Sequence, residues 1–330
     1  MQKFLIIQTA FIGDVVLATA IVEKIFKFFP QSQIDIIVRK GNEKLLLNNP
    51  HINQTIIWDK KQNKIINLFK ILKQIQKTKY DKVINLQRFF ATGLLTALSG
   101  GKEKIGFDKN PLSIFFTRKV KHEVDKGIHE VQRNNKLIEH FTDTQFPKPK
   151  LFPSENDFEL VLKFKAKPYI TVTPSSVWFT KQYPLEKWIE FVNSVSPSLN
   201  IYLLGGPNNT DDTLNILSAS VNTNVFSLAG ELGFLQSAAL MKDAIMNYAN
   251  DSAPLHFASA MNAPITAIFC STIPAFGFTP LSDISYIIQS HLHLTCKPCG
   301  LHGRNQCPLG HFKCALTIDN KELLNNISNE

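Results

Sequence analysis

Short runs of four or five apolar residues alternate along this chain with longer stretches whose apolar positions recur at three- and four-residue spacing. That alternation narrows the possible folds more than any other feature. Phe4-Leu5-Ile6-Ile7 is continuously apolar, the pattern of a strand buried on both faces. Residues 14–29 put Val15, Ala18, Ile21, Val22, Ile25 and Phe29 on one helical face, and Pro30, which has no amide to donate, stops that helix. Ile34 to Val38 reads as the next strand. The 62–78 stretch sets Ile65, Ile66, Leu68, Phe69, Ile71, Leu72 and Ile75 among lysines, an amphipathic helix, and Val83-Ile84-Asn85-Leu86 is a further strand. Strands alternating with helices predict a parallel α/β sheet, because parallel neighbours need a crossover connection.

Residues 142–157 hold Pro147, Pro149 and Pro153 among polar residues and form the best linker. The pattern then restarts: strands at 169–172, 201–204 and 265–269, and a helix at 184–195. The expected architecture is two doubly wound, Rossmann-like domains, residues 1–155 and 156–330, facing each other across a cleft. A length of 330 residues fits two domains.

With 44% hydrophobic and 19% charged residues the chain can build sizeable cores, which excludes disorder, collagen and a disulfide-stapled miniprotein. No run approaches the 18–20 apolar residues of a membrane span, and the first apolar run is too short for a signal peptide, so a cytoplasmic protein is expected. The net charge of +9 divides unevenly, with +13 in residues 1–150 and −4 in the remainder. A basic half attracts polyanions, whether nucleic acid, anionic headgroups or a phosphorylated substrate; solvated lysine faces are the plainer alternative.

In doubly wound sheets ligands bind at the carboxyl ends of strands, so the loops there carry the candidate chemistry. In the first, Gln8 to Asp14, Gly13 allows close backbone approach and Asp14 sits at a helix start. Asp14 reads either as a helix cap or as a general base ionised with help from the helix dipole. The 173–184 loop carries Ser175, Ser176 and Lys181 before a helix, a set that suits a phosphate as well as it suits a plain surface loop. Leu204-Gly205-Gly206-Pro207 is a glycine turn, followed by Asp211 and Asp212. Neither G-x-G-x-x-G nor a Walker A motif occurs, which weakens a dehydrogenase or a P-loop kinase. Asp251, Ser252 and Ala253 open another helix, with His256 one turn on, either packed or a ligand contact. Phe269 to Pro280 is a further turn of small residues. Asp-x-Asp is missing, so amides, helix dipoles and Lys181 are the expected partners of a diphosphate instead of a divalent ion.

Four of the five cysteines form Cys296-x2-Cys299-x7-Cys307-x6-Cys314, with His302 and His311 nearby. The paired start suggests a structural metal knuckle, zinc first and iron second; reduced thiols and disulfides are the alternatives.

Phe11-Ile12-Gly13-Asp14-Val15-Val16-Leu17-Ala18-Thr19, the 180–184 and 204–207 segments, Asp251-Ser252-Ala253-Pro254-Leu255-His256 and Ser271 to Pro274 together resemble glycosyltransferase family 9, the ADP-heptose:lipopolysaccharide heptosyltransferases, over roughly residues 1–315. The resemblance implies a GT-B fold with the acceptor in the first domain and the nucleotide-sugar in the second. It implies inverting, metal-independent transfer of heptose from ADP-heptose to a phosphorylated glycolipid, a lipid A–Kdo inner core. Asp14 matches the catalytic carboxylate and Lys181 the phosphate-binding lysine. Asp251, Ser252, Ala253 and His256 match the diphosphate segment, here with Ser and Ala where the family has Thr and Gly. Ser175, Ser176, Gly206 and Asp211 complete the expected donor contacts, Asp211 toward the ribose. The basic first half would meet an acceptor at the inner membrane, and the 62–78 helix either touches that membrane or, as the plainer reading, carries a solvated lysine face over an apolar core stripe. Rival readings are a GT-B enzyme with another nucleotide-sugar or a glycan or protein acceptor, a non-catalytic nucleotide-sugar binder, and a nucleic-acid binder. The last is disfavoured because the cysteines lie in the acidic half and aromatic-rich basic motifs are lacking.

Overall fold

In the computed structural model, which describes residues 1–124 and 126–327, the first apolar run becomes strand β1 (Lys3–Ile7), and Phe4, Leu5, Ile6 and Ile7 are all fully buried. A strand with no solvent-facing side chain belongs at the centre of a sheet covered on both faces. The chain separates into two units, Met1–Phe152 and Pro153–Glu330.

The first unit runs β1, α1 (Ile12–Phe28), β2 (Gln33–Arg39), β3 (Gln54–Trp58), α2 (Lys64–Thr78), β4 (Lys82–Asn85), α3 (Phe90–Leu98), β5 (Glu103–Phe107), β6 (Arg118–Val120) and α4 (Glu130–Asn135). Its sheet is parallel in the order β3-β2-β1-β4-β5-β6. Helix α2 buries Leu68, Ile71, Leu72 and Ile75 against Trp58 and Tyr80. The remaining apolar residues of its pattern, Ile65, Ile66 and Phe69, stay exposed. Part of the proline-rich stretch is pinned to this unit, because buried Lys24 on α1 bonds Asn135 Oδ1 at 2.7 Å, the Asp143 carbonyl at 2.6 Å and the Gln145 carbonyl. The Lys150 amide donates to Thr19 Oγ1 at 2.9 Å.

The second unit runs α5 (Glu155–Leu162), β7 (Tyr169–Thr173), α6 (Leu185–Ser194), β8 (Asn200–Leu203), α7 (Thr210–Ala219), β9 (Val225–Ser227), α8 (Phe234–Lys242), β10 (Met246–Asn250), α9 (Ala253–Met261), β11 (Ile265–Ile268), β12 (Ser285–Ile288), α10 (Lys313–Leu316) and α11 (Asn320–Asn325). Ser154 caps α5 by accepting the Asp157 amide while Asp157 accepts the Ser154 amide, so the end of the predicted linker starts a helix. The sheet order is β12-β11-β10-β7-β8-β9, again parallel. Both sheets therefore follow the same doubly wound order. In each, the winding reverses between two central strands: β1 and β4 in the first, β7 and β10 in the second. Ligands bind at the carboxyl ends of such strands.

Candidate active site

At the reversal point of the second unit, β7 leads into the 174–184 loop and β10 into Asp251. Asn250, the last residue of β10 and fully buried, fastens the two. Its Nδ2 donates to the Pro174 carbonyl at 2.6 Å, and its Oδ1 accepts the Tyr183 amide at 2.9 Å. The loop is thereby folded back so that Lys181 Nζ lies 2.8 Å from Asp251 Oδ2, a pair whose side chains are 15% and 8% exposed. Thr272 Oγ1, in the turn that follows β11, donates to the same oxygen at 2.7 Å. A carboxylate and an ammonium withdrawn from water need each other and further hydrogen bonds, and both conditions are met here. Ala253 and Pro254 form the first turn of α9, where Pro254 has no amide to donate and the Leu255 amide bonds the Ser252 carbonyl at 3.2 Å, so the positive end of the helix dipole is what this turn offers an anion. Ser252 occupies the N-cap but its side chain makes no capping bond. His256 is buried in α9, its ring 6.5 Å from that of Phe278.

Other expected donor residues are distributed differently. Ser175 Oγ donates to Asp212 Oδ2 at 2.8 Å. Asp212, at the start of α7, is thus the carboxylate brought into this corner, whereas Asp211 is exposed beside it. The Ser176 carbonyl accepts Gln182 Nε2 at 2.6 Å. Gly206 is exposed at the end of the β8 turn, and its amide is engaged by Asn209 Oδ1 at 3.2 Å.

At the reversal point of the first unit, the 8–11 loop is tied from three sides. Gln87 Nε2 donates to Gln8 Oε1 at 2.5 Å and Asn42 Nδ2 to the Ala10 carbonyl at 3.0 Å. Lys60 Nζ donates to Thr9 O at 2.8 Å and Thr9 Oγ1 at 2.9 Å. Gly13 and Asp14 follow in the first turn of α1, both half-buried. Asp14 Oδ2 accepts the Phe11 amide at 3.1 Å, so the carboxylate has a capping bond and keeps solvent access. A cap fixes the orientation of a carboxylate and does not stop it from taking a proton. Burial, with help from Arg39 and Lys64, lowers the Lys60 pKa to about 8. Phe11, Phe89, Phe90, Ile65 and Ile66 are exposed at this carboxyl end, together with the exposed cations Lys61, Lys64 and Arg88.

The four-cysteine metal site is not supported. Among the described residues no group of three or more His, Cys, Asp or Glu side chains converges to hold an ion. Cys314 is carried into the core beside Ala315 on α10, while Cys296 Sγ faces His311 Nε2 at 3.9 Å and Cys299 Sγ turns to the Cys296 carbonyl at 3.5 Å. All five cysteines are free thiols. Burial raises the pKa of Cys314 to about 11. For Cys307, the amides of residues 309–312 outweigh burial and lower it.

Sequence reasoning missed Asn250, Thr272 as the partner of Asp251, and Lys60. Thr272 stands in the 269–280 turn of small residues, but no local pattern links it to a residue 21 positions away. Lys60 follows β3, a strand whose alternation was too weak to single out.

The model of glycosyltransferase family 9 (heptosyltransferase) matches residues 68–311, more than half of the chain. Lipopolysaccharide heptosyltransferase 3 of Escherichia coli is 27% identical over 281 residues, covering 79% of this chain and 82% of that protein. Among solved structures, E. coli ADP-heptose lps heptosyltransferase II superposes with a TM-score of 0.81 at 20% identity, covering 99% of this chain and 98% of that one. E. coli heptosyltransferase WaaC with ADP superposes with a TM-score of 0.70 at 18% identity, covering 87% and 93%. Two doubly wound units of matching strand order, anion-suited strand ends and these likenesses agree: the chain belongs to glycosyltransferase family 9 and is a glycosyltransferase of GT-B fold.

Proposed function

We propose that this enzyme transfers a heptose from ADP-heptose to a lipid A–Kdo type inner-core acceptor of lipopolysaccharide, with inversion and without a catalytic metal. Residues 156–330 hold the donor and residues 1–155 the acceptor. The observation that carries the reading is the buried Lys181–Asp251 pair at the carboxyl ends of β7 and β10, beside the start of α9. Heptosyltransferase relatives along most of the chain and an ADP complex among the similar folds support the same donor.

In this reaction the acceptor hydroxyl attacks the anomeric carbon on the face opposite the diphosphate. Asp14 takes the hydroxyl proton as the new C–O bond forms and the bond to the diphosphate breaks. A single displacement forms no glycosyl-enzyme, so one carboxylate suffices. Negative charge grows on the departing ADP. Lys181 and the N-terminal dipole of α9 offset it, with Asp251, Ser252, Ala253 and His256 shaping that cradle. Ser175, Ser176, Gly206 and Asp211 are the further donor contacts; the Ser175 bond to Asp212 adds Asp212 to the set.

Peripheral contact with the cytoplasmic face of an anionic membrane belongs to the same reading. Ile65 and Phe69, 68% and 50% exposed, stand among the lysines of α2, and a lysine-rich face bearing apolar side chains suits anionic headgroups. No helix among the described residues is long and apolar enough to cross a membrane. Thermal unfolding with ADP-, UDP- and GDP-sugars tests the donor, since a ligand of the folded state raises its stability. ADP-heptose is expected to give the largest rise; a larger one with a UDP- or GDP-sugar overturns the donor assignment.

A further inference from the structure

The cysteine-rich segment does not stand apart from the donor corner; it is bonded to the residue next to Lys181. The Thr180 amide donates to the Arg304 carbonyl at 3.0 Å, and the Arg304 amide donates to Thr180 Oγ1 at 2.8 Å. Ser271 Oγ donates to that same hydroxyl at 2.9 Å, and the Ser271 carbonyl accepts the Cys299 amide at 2.9 Å. Thr180 itself is buried. The Phe179 and Phe312 rings stack at 5.2 Å, so the segment touches the turn on both sides of Thr180.

Gly303 lets the segment pass this close. It has φ +78, and a Cβ there would lie 3.0 Å from Lys181 Cγ and 3.0 Å from Thr180 Oγ1. The lysine stem is thus confined by the Gly303 backbone at its middle and by Asp251 at its ammonium. Gly300, three residues earlier with φ +80, has nothing within 4 Å of its Cβ position, so its conformation serves the segment's own path and touches no part of the site.

We propose that residues 296–314 form a strap that sets the position of Lys181 for the donor diphosphate, with Gly303 and Thr180 as positioning residues. The proposal rests on the reading of Lys181 as the diphosphate ligand. Its hold on the turn consists of amide and hydroxyl bonds and one stacked ring pair. A long ammonium side chain loses much rotamer freedom when it grips a phosphate. Confining its stem beforehand removes part of that cost from binding.

Calorimetric titration of the full chain with ADP tests the idea. Lys181→Met is expected to weaken ADP about tenfold, the lower range for a hydrogen bond to a charged group. Gly303→Ala should weaken it severalfold, and Gly303→Ala combined with Lys181→Met should bind no worse than Lys181→Met alone, since residues acting through one contact are not additive. Gly300→Ala, with the same left-handed backbone strain and no contact, should bind ADP like the parent. Thr180→Val should follow Gly303→Ala, and Thr180→Ser, which restores the acceptor for Arg304 and Ser271, should recover most of the loss. Parent affinity in both Gly303→Ala and Thr180→Val overturns the strap, as does an equal loss in Gly300→Ala or full additivity with Lys181→Met. Parent affinity in Lys181→Met overturns the diphosphate reading itself and the strap with it. Should Thr180→Val fail to fold, the Gly303, Gly300 and Lys181 series decides alone.

Discussion

The two units share one strand order and differ at the strand ends that matter. In the second, the charges are withdrawn from water and paired in advance: Lys181 with Asp251, Ser175 with Asp212, Thr272 with Asp251. In the first, Asp14 keeps solvent access and the surroundings are exposed phenylalanines, isoleucines and cations. A small, densely charged ligand such as a diphosphate is held best by a few fixed groups. A large amphipathic ligand is better met by a broad surface bearing both apolar and cationic groups. The same fold thus supports a preorganised edge and an accommodating one, and the difference lies in loop residues, not in the sheets.

The largest effect expected from this contrast is at Asp14. Asp14→Ala should lower the transfer rate about a thousandfold, within the range for loss of a general base, while ADP affinity by calorimetry stays at the parent value. Residual turnover near the parent rate would show the carboxylate to be a cap alone. At the preorganised edge, Asp251→Asn leaves the Lys181 ammonium buried without its counter-charge. Unfolding by denaturant should report a loss of about 3 kcal/mol, as when one partner of a buried ion pair is removed. An unchanged midpoint would mean that the pair is far more solvated than its burial indicates.

The accommodating edge gives smaller effects. Replacing Ile65, Ile66 and Phe69 together by Ser should reduce co-sedimentation with anionic vesicles by about tenfold or more, since each side chain buried in lipid contributes on the order of 1 kcal/mol. Equal sedimentation would leave α2 with a solvated lysine face only. Smallest is the pH response of Lys60, whose ammonium is lost as pH rises through about 8. The acceptor KM should rise severalfold above that pH if Lys60 meets an acceptor phosphate, and Lys60→Arg, which keeps its charge, should flatten the profile. A flat profile in the parent enzyme would confine Lys60 to bracing Thr9.

Much of the fold was legible because its signal is local. Phe4 to Ile7 is an uninterrupted apolar run and Tyr169 to Val172 is broken only by Thr171, and both lie at the centres of their sheets. Elements with diluted patterns are not legible in this way: β3, two of whose five residues are exposed, the short β6 and β9, and α5, whose cap lies inside a proline-rich stretch. Of the candidate residues, Asp14 in the first unit and Lys181 and Asp251 in the second are legible as residues of strand-end loops. Their partners are not. The glycine turn is followed by two adjacent carboxylates, Asp211 and Asp212, and only the turn of α7 shows that Asp212 is the one that meets Ser175. The cysteine spacing suggested an ion, yet the chain path sends Cys314 into the core and the intervening turn to Thr180.

Composition, periodicity and loop position therefore determined by themselves that this chain makes two doubly wound sheets and where along it the polar chemistry must fall. Each of those properties depends on neighbours within a few residues, through helical or strand repeat and the geometry of a turn. Tertiary structure alone decided which charges meet, because the bonds that join Lys181 to Asp251, Asp251 to Thr272 and Thr180 to Arg304 span 21 to 124 positions. Contacts at such separations arise only once the sheets have set the strand ends side by side.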